Sequence, residues 1–309
     1  DLASASTLCR WENRADRATA WRLHEVLIDQ FIASYRRPPK RLILDFDATD
    51  DAVHGQQEGR FFHGYYDHYC FLPLYVFCGK QLLVSYLRPS KIDGAKHAWA
   101  ILSLLIKRLR QTWPKVRILL RADSGFCRWT MLRWCERHGD DYLVGIARNN
   151  GLAAQPKDFI DTAEQRFQET GRKQRRFHEM YYAAGTWDKR RRIVVKAEHT
   201  AQGSNPRYLV TNLKAQPKYL YDQVYCARGE AENRIKEQQL DLFVDVTLQA
   251  PTQLTFQARG EGGLVAEDTV RIDVFQPSLG ITIEPEQDRY QAGQPVTFNI
   301  DVKNTGERP

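Results

Sequence analysis

The 309 residues are 42% apolar and 27% charged, which provides for one large core or two ordinary ones and excludes wholesale disorder or a fibrous repeat. The longest apolar runs, such as 98–106 and 71–77, fall far short of the ~20 residues of a membrane helix, so a cytoplasmic chain with no membrane partner is expected. Net charge is +7, but the residues from Val246 onward carry five Lys/Arg against nine Asp/Glu, a net of −4 that leaves +11 on the first 245; a field of that size favours a polyanionic partner, nucleic acid by default.

Residues 1–40 read as a helical lead-in. Trp21, Leu23, Val26, Leu27, Phe31 and Ile32 recur at helical spacings, and Pro38-Pro39 stop the helix. The first part of the core, 41–150, opens on Arg41-Leu42-Ile43-Leu44-Asp45-Phe46-Asp47-Ala48-Thr49-Asp50-Asp51, an apolar run that ends on four carboxylates within seven residues. Such a run reads as a buried strand with acids at its carboxyl end, where α/β proteins place chemistry. Asp45 and Asp47 share one face, because strand side chains alternate, while Asp50 and Asp51 fall on the turn. Repulsion among these acids is relieved most simply by a divalent cation, and hard oxygen donors suit Mg²⁺ or Mn²⁺ rather than zinc.

An irregular loop rich in Gly, His and aromatics is expected over 53–69. Residues 71–77 and 81–87 follow as a hairpin turning at Cys78-Gly79-Lys80. Ala95–Gln111 reads as an amphipathic helix with Ala98, Ile101, Leu102, Leu105, Ile106 and Leu109 inward. A second acid-tipped strand, Val116 to Asp123, precedes a tight turn at Gly125, a helix over 129–138 and a strand over 142–147. The six cysteines lack C-x-x-C spacing and the eight histidines lack zinc-ligand spacing, so reduced thiols and no zinc site are expected.

Residues 151–216 read as a β-rich basic insertion, with Arg172-Lys173-Gln174-Arg175-Arg176 and Lys189-Arg190-Arg191-Arg192 flanking Phe177, Tyr181, Tyr182 and Trp187. Arginine interleaved with aromatics favours phosphate pairing and base stacking; a solvated charged surface is the plainer alternative. The segment 217–245 reads as a helix, over Pro217 to Asp241, that puts Tyr225, Arg228 and Glu232 on one face. That Glu could complete a metal site begun by Asp47 and Asp123. From about 246 to 309 apolar and polar residues alternate around Gly260–Gly263 and Gly293, as in the antiparallel strands of a β-sandwich.

Taken together, three stretches carry a family resemblance: Leu44-Asp45-Phe46-Asp47-Ala48-Thr49-Asp50 with His54-Gly55-Gln56-Gln57-Glu58-Gly59, Arg121-Ala122-Asp123-Ser124-Gly125-Phe126, and Tyr225-Cys226-Ala227-Arg228-Gly229-Glu230-Ala231-Glu232-Asn233. They resemble the DDE transposases of bacterial insertion sequences, over nearly all of 1–245. The last matches the Tyr, Arg and Glu of the family's Tyr-Arg-Glu-Lys signature; its Lys position is Gln239, with Lys236 a substitute contact. The resemblance implies an α/β fold, a ribonuclease H-like mixed sheet with flanking helices and a β-rich insertion, followed here by a C-terminal all-β sandwich-like fragment. It implies catalytic and metal-holding roles for Asp47, Asp123 and Glu232, with Asp45 an alternative first ligand, and two Mg²⁺ or Mn²⁺ ions about 4 Å apart. DNA contacts are expected from Tyr225, Arg228 and Lys236, and from Lys173, Arg175, Arg176, Lys189, Arg190, Arg191 and Arg192.

The implied activity is DNA strand cleavage and transfer, with transposon ends and target as DNA partners and a homodimer on DNA. The tail resembles the immunoglobulin-like repeats of bacterial surface proteins. A transposase core truncated at both ends, joined to an unrelated piece and transposing poorly, is therefore the expectation. A non-catalytic DNA-binding remnant and a surface adhesion protein are the alternatives.

Overall fold

A computed structural model describes residues 16–53 and 57–241, five isolated positions before residue 16, and four strands beyond residue 251. His54, Gly55 and Gln56, the side chain of Gln239, the tail turn at 260–263, Gly293 and Thr305-Gly306 lie outside the described residues. The chain divides into two compact units, 1–240 and 241–309.

The first unit is a mixed α/β structure. After helix α1 (Arg17–Ala33) come strands β1 (Arg41–Ala48), β2 (Asp51–Ala52), β3 (Phe61–His63), β4 (His68–Phe71), β5 (Leu74–Cys78) and β6 (Gln81–Tyr86). Helix α2 (Ala98–Thr112), strand β7 (Arg117–Ala122), helix α3 (Trp129–His138) and strand β8 (Asp141–Gly145) follow. Helices α4 (Asn150–Ala154) and α5 (Lys157–Thr170) lead to β9 (Gln174–Tyr182), β10 (Arg191–Thr200), β11 (Gly203–Ser204) and β12 (Arg207–Thr211), and α6 spans Gly229–Asp241.

Nine strands form one sheet in the order β11-β10-β12-β8-β7-β1-β5-β6, with β9 paired to β10. Strands β7 and β8 run parallel to β1 and one another, while β5 and β6 run antiparallel as the expected hairpin. Gly79, at φ +60, makes its turn. Alternation along β1 separates two layers. Leu42, Leu44 and Phe46 face a core shared with Ile28 and Phe31 of α1, with Leu102, Leu105, Ile106 and Leu109 of α2, and with Leu132 and Cys135 of α3. On the opposite face Leu119, Leu143, Val194 and Leu209 pack under Leu220, Tyr221 and Val224, and Tyr75 and Phe77 pack under Ala231 and Ile235 of α6. Asp45 and Asp47 belong to this second face.

Several expectations need correction. The segment 53–69 is not irregular: its described part includes β3 and β4, which with β2 form a separate three-stranded sheet. The segment 151–216 contains a 14-residue helix, α5, and its strands continue the central sheet by pairing β12 with β8. Of the apolar residues read into the first helix, Phe31 is buried whereas Trp21, Leu23 and Val26 are exposed, since the sheet covers only the stripe containing Ile28 and Phe31.

In the second unit, β13 (Thr252–Arg259) pairs antiparallel with β14 (Val265–Ile272), and β15 (Leu279–Pro285) with β16 (Phe298–Asn304). These are two separate two-stranded sheets.

No helix among the described residues is long and apolar enough to cross a membrane. Their five cysteines, Cys70, Cys78, Cys127, Cys135 and Cys226, are all unpaired.

Candidate active site

Strands β1 and β7 lie side by side and parallel, with Asp45 opposite Arg121 and Phe46 opposite Ala122. Their carboxyl ends therefore bring Asp47 and Asp123 to one end of the sheet. Asp123 caps the 3₁₀ turn Ser124–Phe126, its Oδ1 accepting from the Gly125 amide at 2.9 Å. Glu232 arrives from the second face on the first turn of α6, which Ala231 and Ile235 anchor against Tyr75 and Phe77.

Arg228 ties Asp47 to Glu232. Its Nη1 lies 3.5 Å from Asp47 Oδ2, and its Nη2 donates to Glu232 Oε1 one helical turn on. Its guanidinium also sits 5.9 Å from the centre of the Tyr225 ring. Burial pushes the Asp47 carboxyl up to about 6; Arg228 pulls it down, while the charges of Asp123 and Glu232 push it further up. Asp47 thus titrates in a field to which both other acids contribute.

Asp45 has a different environment. It is 2% exposed, and its Oδ1 and Oδ2 accept from Arg121 Nε at 2.5 Å and Nη2 at 2.7 Å. Both of its oxygens are committed to a guanidinium. A cleft of about 250 Å³ opens instead beside Asp47, Ala48, Thr49, Glu232, Ile235 and Lys236. The apolar cavity of about 290 Å³ between α1, β6 and α2 shares no residue with it.

Carboxylate oxygens beside an open cleft suit Mg²⁺ or Mn²⁺ in donor chemistry. Among the described residues no three His, Cys, Asp or Glu side chains are grouped closely enough to hold a metal ion directly. Arg228 contacts two of the three acids and offsets their charge.

The basic runs divide under inspection. Arg191 is 3% exposed and pairs with Glu136 and Asp188 at 2.8 Å, so it is unavailable to phosphate. Arg192 is held by Glu179 and the Leu213 and Ala215 carbonyls, and Arg175 by Asp222 against the Phe177 and Tyr221 rings. Strand alternation turns Arg191 into the protein, where only an ion pair makes its burial tolerable. Arg191→Ala is accordingly expected to lower unfolding free energy by about 3 kcal/mol in a urea titration. Lys173, Lys189 and Arg190 remain exposed, the two lysines in surface pairs with Glu198 and Glu136. Arg176 is half-buried and lies over Phe159.

Two residues escaped the sequence reading. Gly145 ends β8 where a methyl group would stand 2.8 Å from both the Ser124 amide nitrogen and the Tyr225 hydroxyl. Only glycine lets Tyr225 and the Asp123 turn approach so closely. Arg121 binds Asp45 and also donates to the Val224 and Ala227 carbonyls, at 2.5 and 3.3 Å. That insertion takes carbonyls from the helical ladder, and the stretch is indeed π-wound over Leu220–Tyr225 and 3₁₀-wound over Cys226–Arg228 rather than continuous α-helix. A charged residue inside the apolar strand Ile118-Leu119-Leu120-Arg121-Ala122 was the available signal.

The model of the family described as transposase DDE domain, group 1, matches residues 1–254. Curated proteins give no match. Among solved structures the chain is similar to the cryo-EM structure of the piggyBac transposase synaptic complex with hairpin DNA, at 11% identity and a TM-score of 0.44, over 77% of this chain and 48% of that one. The chain thus spans about half the length of that protein.

Proposed function

The chain belongs to the transposase DDE domain group 1 family, and from this premise we propose that residues 1–245 hold a catalytic domain that cuts and transfers DNA strands for an insertion sequence. The sheet order β6-β5-β1-β7-β8, with α2 and α3 in the connections, supports reading the core as ribonuclease H-like. The observation that carries the proposal is the shared field of Asp47 and Asp123, at the ends of adjacent parallel strands, and of Glu232 on the first turn of α6, with Arg228 contacting Asp47 and Glu232.

In this reading Asp47, Asp123 and Glu232 are the catalytic acids, and the bonding of both Asp45 oxygens to Arg121 supports Asp47 over Asp45 as the first of them. The three acids would hold Mg²⁺ or Mn²⁺, which when bound supplies activation of a water or 3′-hydroxyl and charge relief at the leaving oxygen. Arg228 and Lys236 place two cations beside the acids, one on Asp47 and Glu232 and one exposed in the cleft lining. A DNA phosphate entering the cleft would compete with the carboxylates for Arg228, releasing them. Transposon ends and target are the proposed DNA partners, with a second copy of the chain pairing the two ends as a homodimer. The unpaired cysteines are in keeping with a cytoplasmic location.

A non-catalytic DNA-binding remnant is the second reading, favoured by the absence of a ready metal-holding trio among the described residues. Nicking of supercoiled plasmid with Mg²⁺, by this chain and by Asp123→Ala, separates the two. Activity in the first and none in the second supports catalysis; equal conversion in both removes it. Binding should also weaken with salt, roughly one unit of log–log slope per phosphate contact. Reversing Lys173, Lys189 and Arg190 to Glu is expected to flatten that slope by about three, and an unchanged slope would return these residues to a solvated surface.

A further inference from the structure

The Asp45–Arg121 pair lies one side-chain step beneath the proposed acids. On β1, Asp45 precedes Asp47 by two residues and shares its face, and on β7 Arg121 stands two residues before Asp123, which caps the turn that follows the strand. Arg121 is 6% exposed and four contacts use its guanidinium: two to Asp45, one to the Val224 carbonyl and one to the Ala227 carbonyl. Those carbonyls bracket Tyr225 and Cys226, and that of Ala227 immediately precedes Arg228. From Ala227 the chain runs through Arg228 into the first turn of α6, where Glu232 stands.

We propose that Arg121, clamped by Asp45, is a positioning residue that sets the place of Glu232 relative to Asp47 and Asp123. The inference rests on the reading of these three acids as catalytic. A planar, five-donor guanidinium can hold a carboxylate and two carbonyls at once, whereas a lysine ammonium cannot reproduce that fork. The winding of Leu220–Arg228 follows from this grip, and with it the direction in which α6 leaves the sheet.

The test is a mutant cycle on single-turnover plasmid nicking with Mg²⁺. Asp45→Leu with Arg121→Met removes the buried pair without leaving a lone charge, a change that folds are often able to absorb. This double variant is expected to melt as a folded protein and bind DNA as the wild type does, yet to nick about 100-fold more slowly, as a misplaced group would. Glu232→Gln should then cost its full factor in the wild-type background but less than about threefold in the double variant, because the two changes act through one geometry. Arg121→Lys, which keeps the charge, is the second arm and should lose about tenfold in rate with DNA affinity unchanged. Full activity in both the double variant and Arg121→Lys would overturn the proposal, as would an equal cost of Glu232→Gln in both backgrounds. Loss of nothing on Glu232→Gln in the wild type would instead remove the catalytic reading itself, and the proposal with it.

Discussion

Asp47→Asn is expected to abolish plasmid nicking, by a factor of about 10³ or more, while making the metal-free protein more stable near pH 7.5. Burial, with Asp123 and Glu232 nearby, raises the Asp47 carboxyl from 3.8 to about 6 in the folded chain. The folded state therefore holds this proton more tightly than the unfolded state does. Stability from that proton is complete below about pH 4 and is lost as pH rises through 6. By the conversion of 1.36 kcal/mol per unit, the loss is on the order of 3 kcal/mol at most. An uncharged Asn avoids it. Melting curves should show the variant ahead by several degrees at pH 7.5 and by little at pH 4. Asp140, also raised to about 6 by burial, is present in both proteins and cancels from the comparison. A gap that does not change with pH would contradict the assigned environment of Asp47.

Gly145→Ala is expected to slow nicking about 100-fold for a stability cost of only about 1–3 kcal/mol. The added methyl would meet the Ser124 amide and the Tyr225 hydroxyl at 2.8 Å. One neighbour is backbone on the Asp123 turn and the other belongs to the segment that leads to Glu232, so any relief separates two of the three acids. Rates and urea titrations on the same preparations check this. A rate within about threefold of wild type would show that the close approach has no bearing on the reaction.

What the sequence makes legible here is local. The runs ending at Asp47 and Asp123, the hairpin around Gly79 and the inward stripe of α2 each carry their signal within a dozen residues, as strand or helix periodicity. Joining β12 to β8 carries none, because strand partners such as Gly145 and Leu209, far apart in the chain, are chosen by the whole sheet. Arg191 looks like Lys189 and Arg190 in the sequence, and Glu136, 55 residues away, together with Asp188 makes it a buried structural group. Helix α5 was hidden by its charged residues, although Phe159, Ile160, Ala163 and Phe167 keep helical spacing. At the candidate site the acids could be chosen from motif order, with Asp45 and Asp47 unresolved. The choice between them turns on Arg121, whose role depends on carbonyls more than 100 residues further along the chain.

If Asp47, Asp123 and Glu232 act as one metal-holding site, an ion bound there touches all three segments at once. Local oxidative cleavage tests it most directly: Fe²⁺ is bound in place of Mg²⁺, ascorbate and hydrogen peroxide are added, and the peptide cuts are mapped by mass. Backbone cuts are expected near residues 47, 123 and 232 together, suppressed by excess Mg²⁺ and lost at all three positions in Asp123→Ala. Cuts at only one of the three, or a pattern that Asp123→Ala leaves intact, would contradict it.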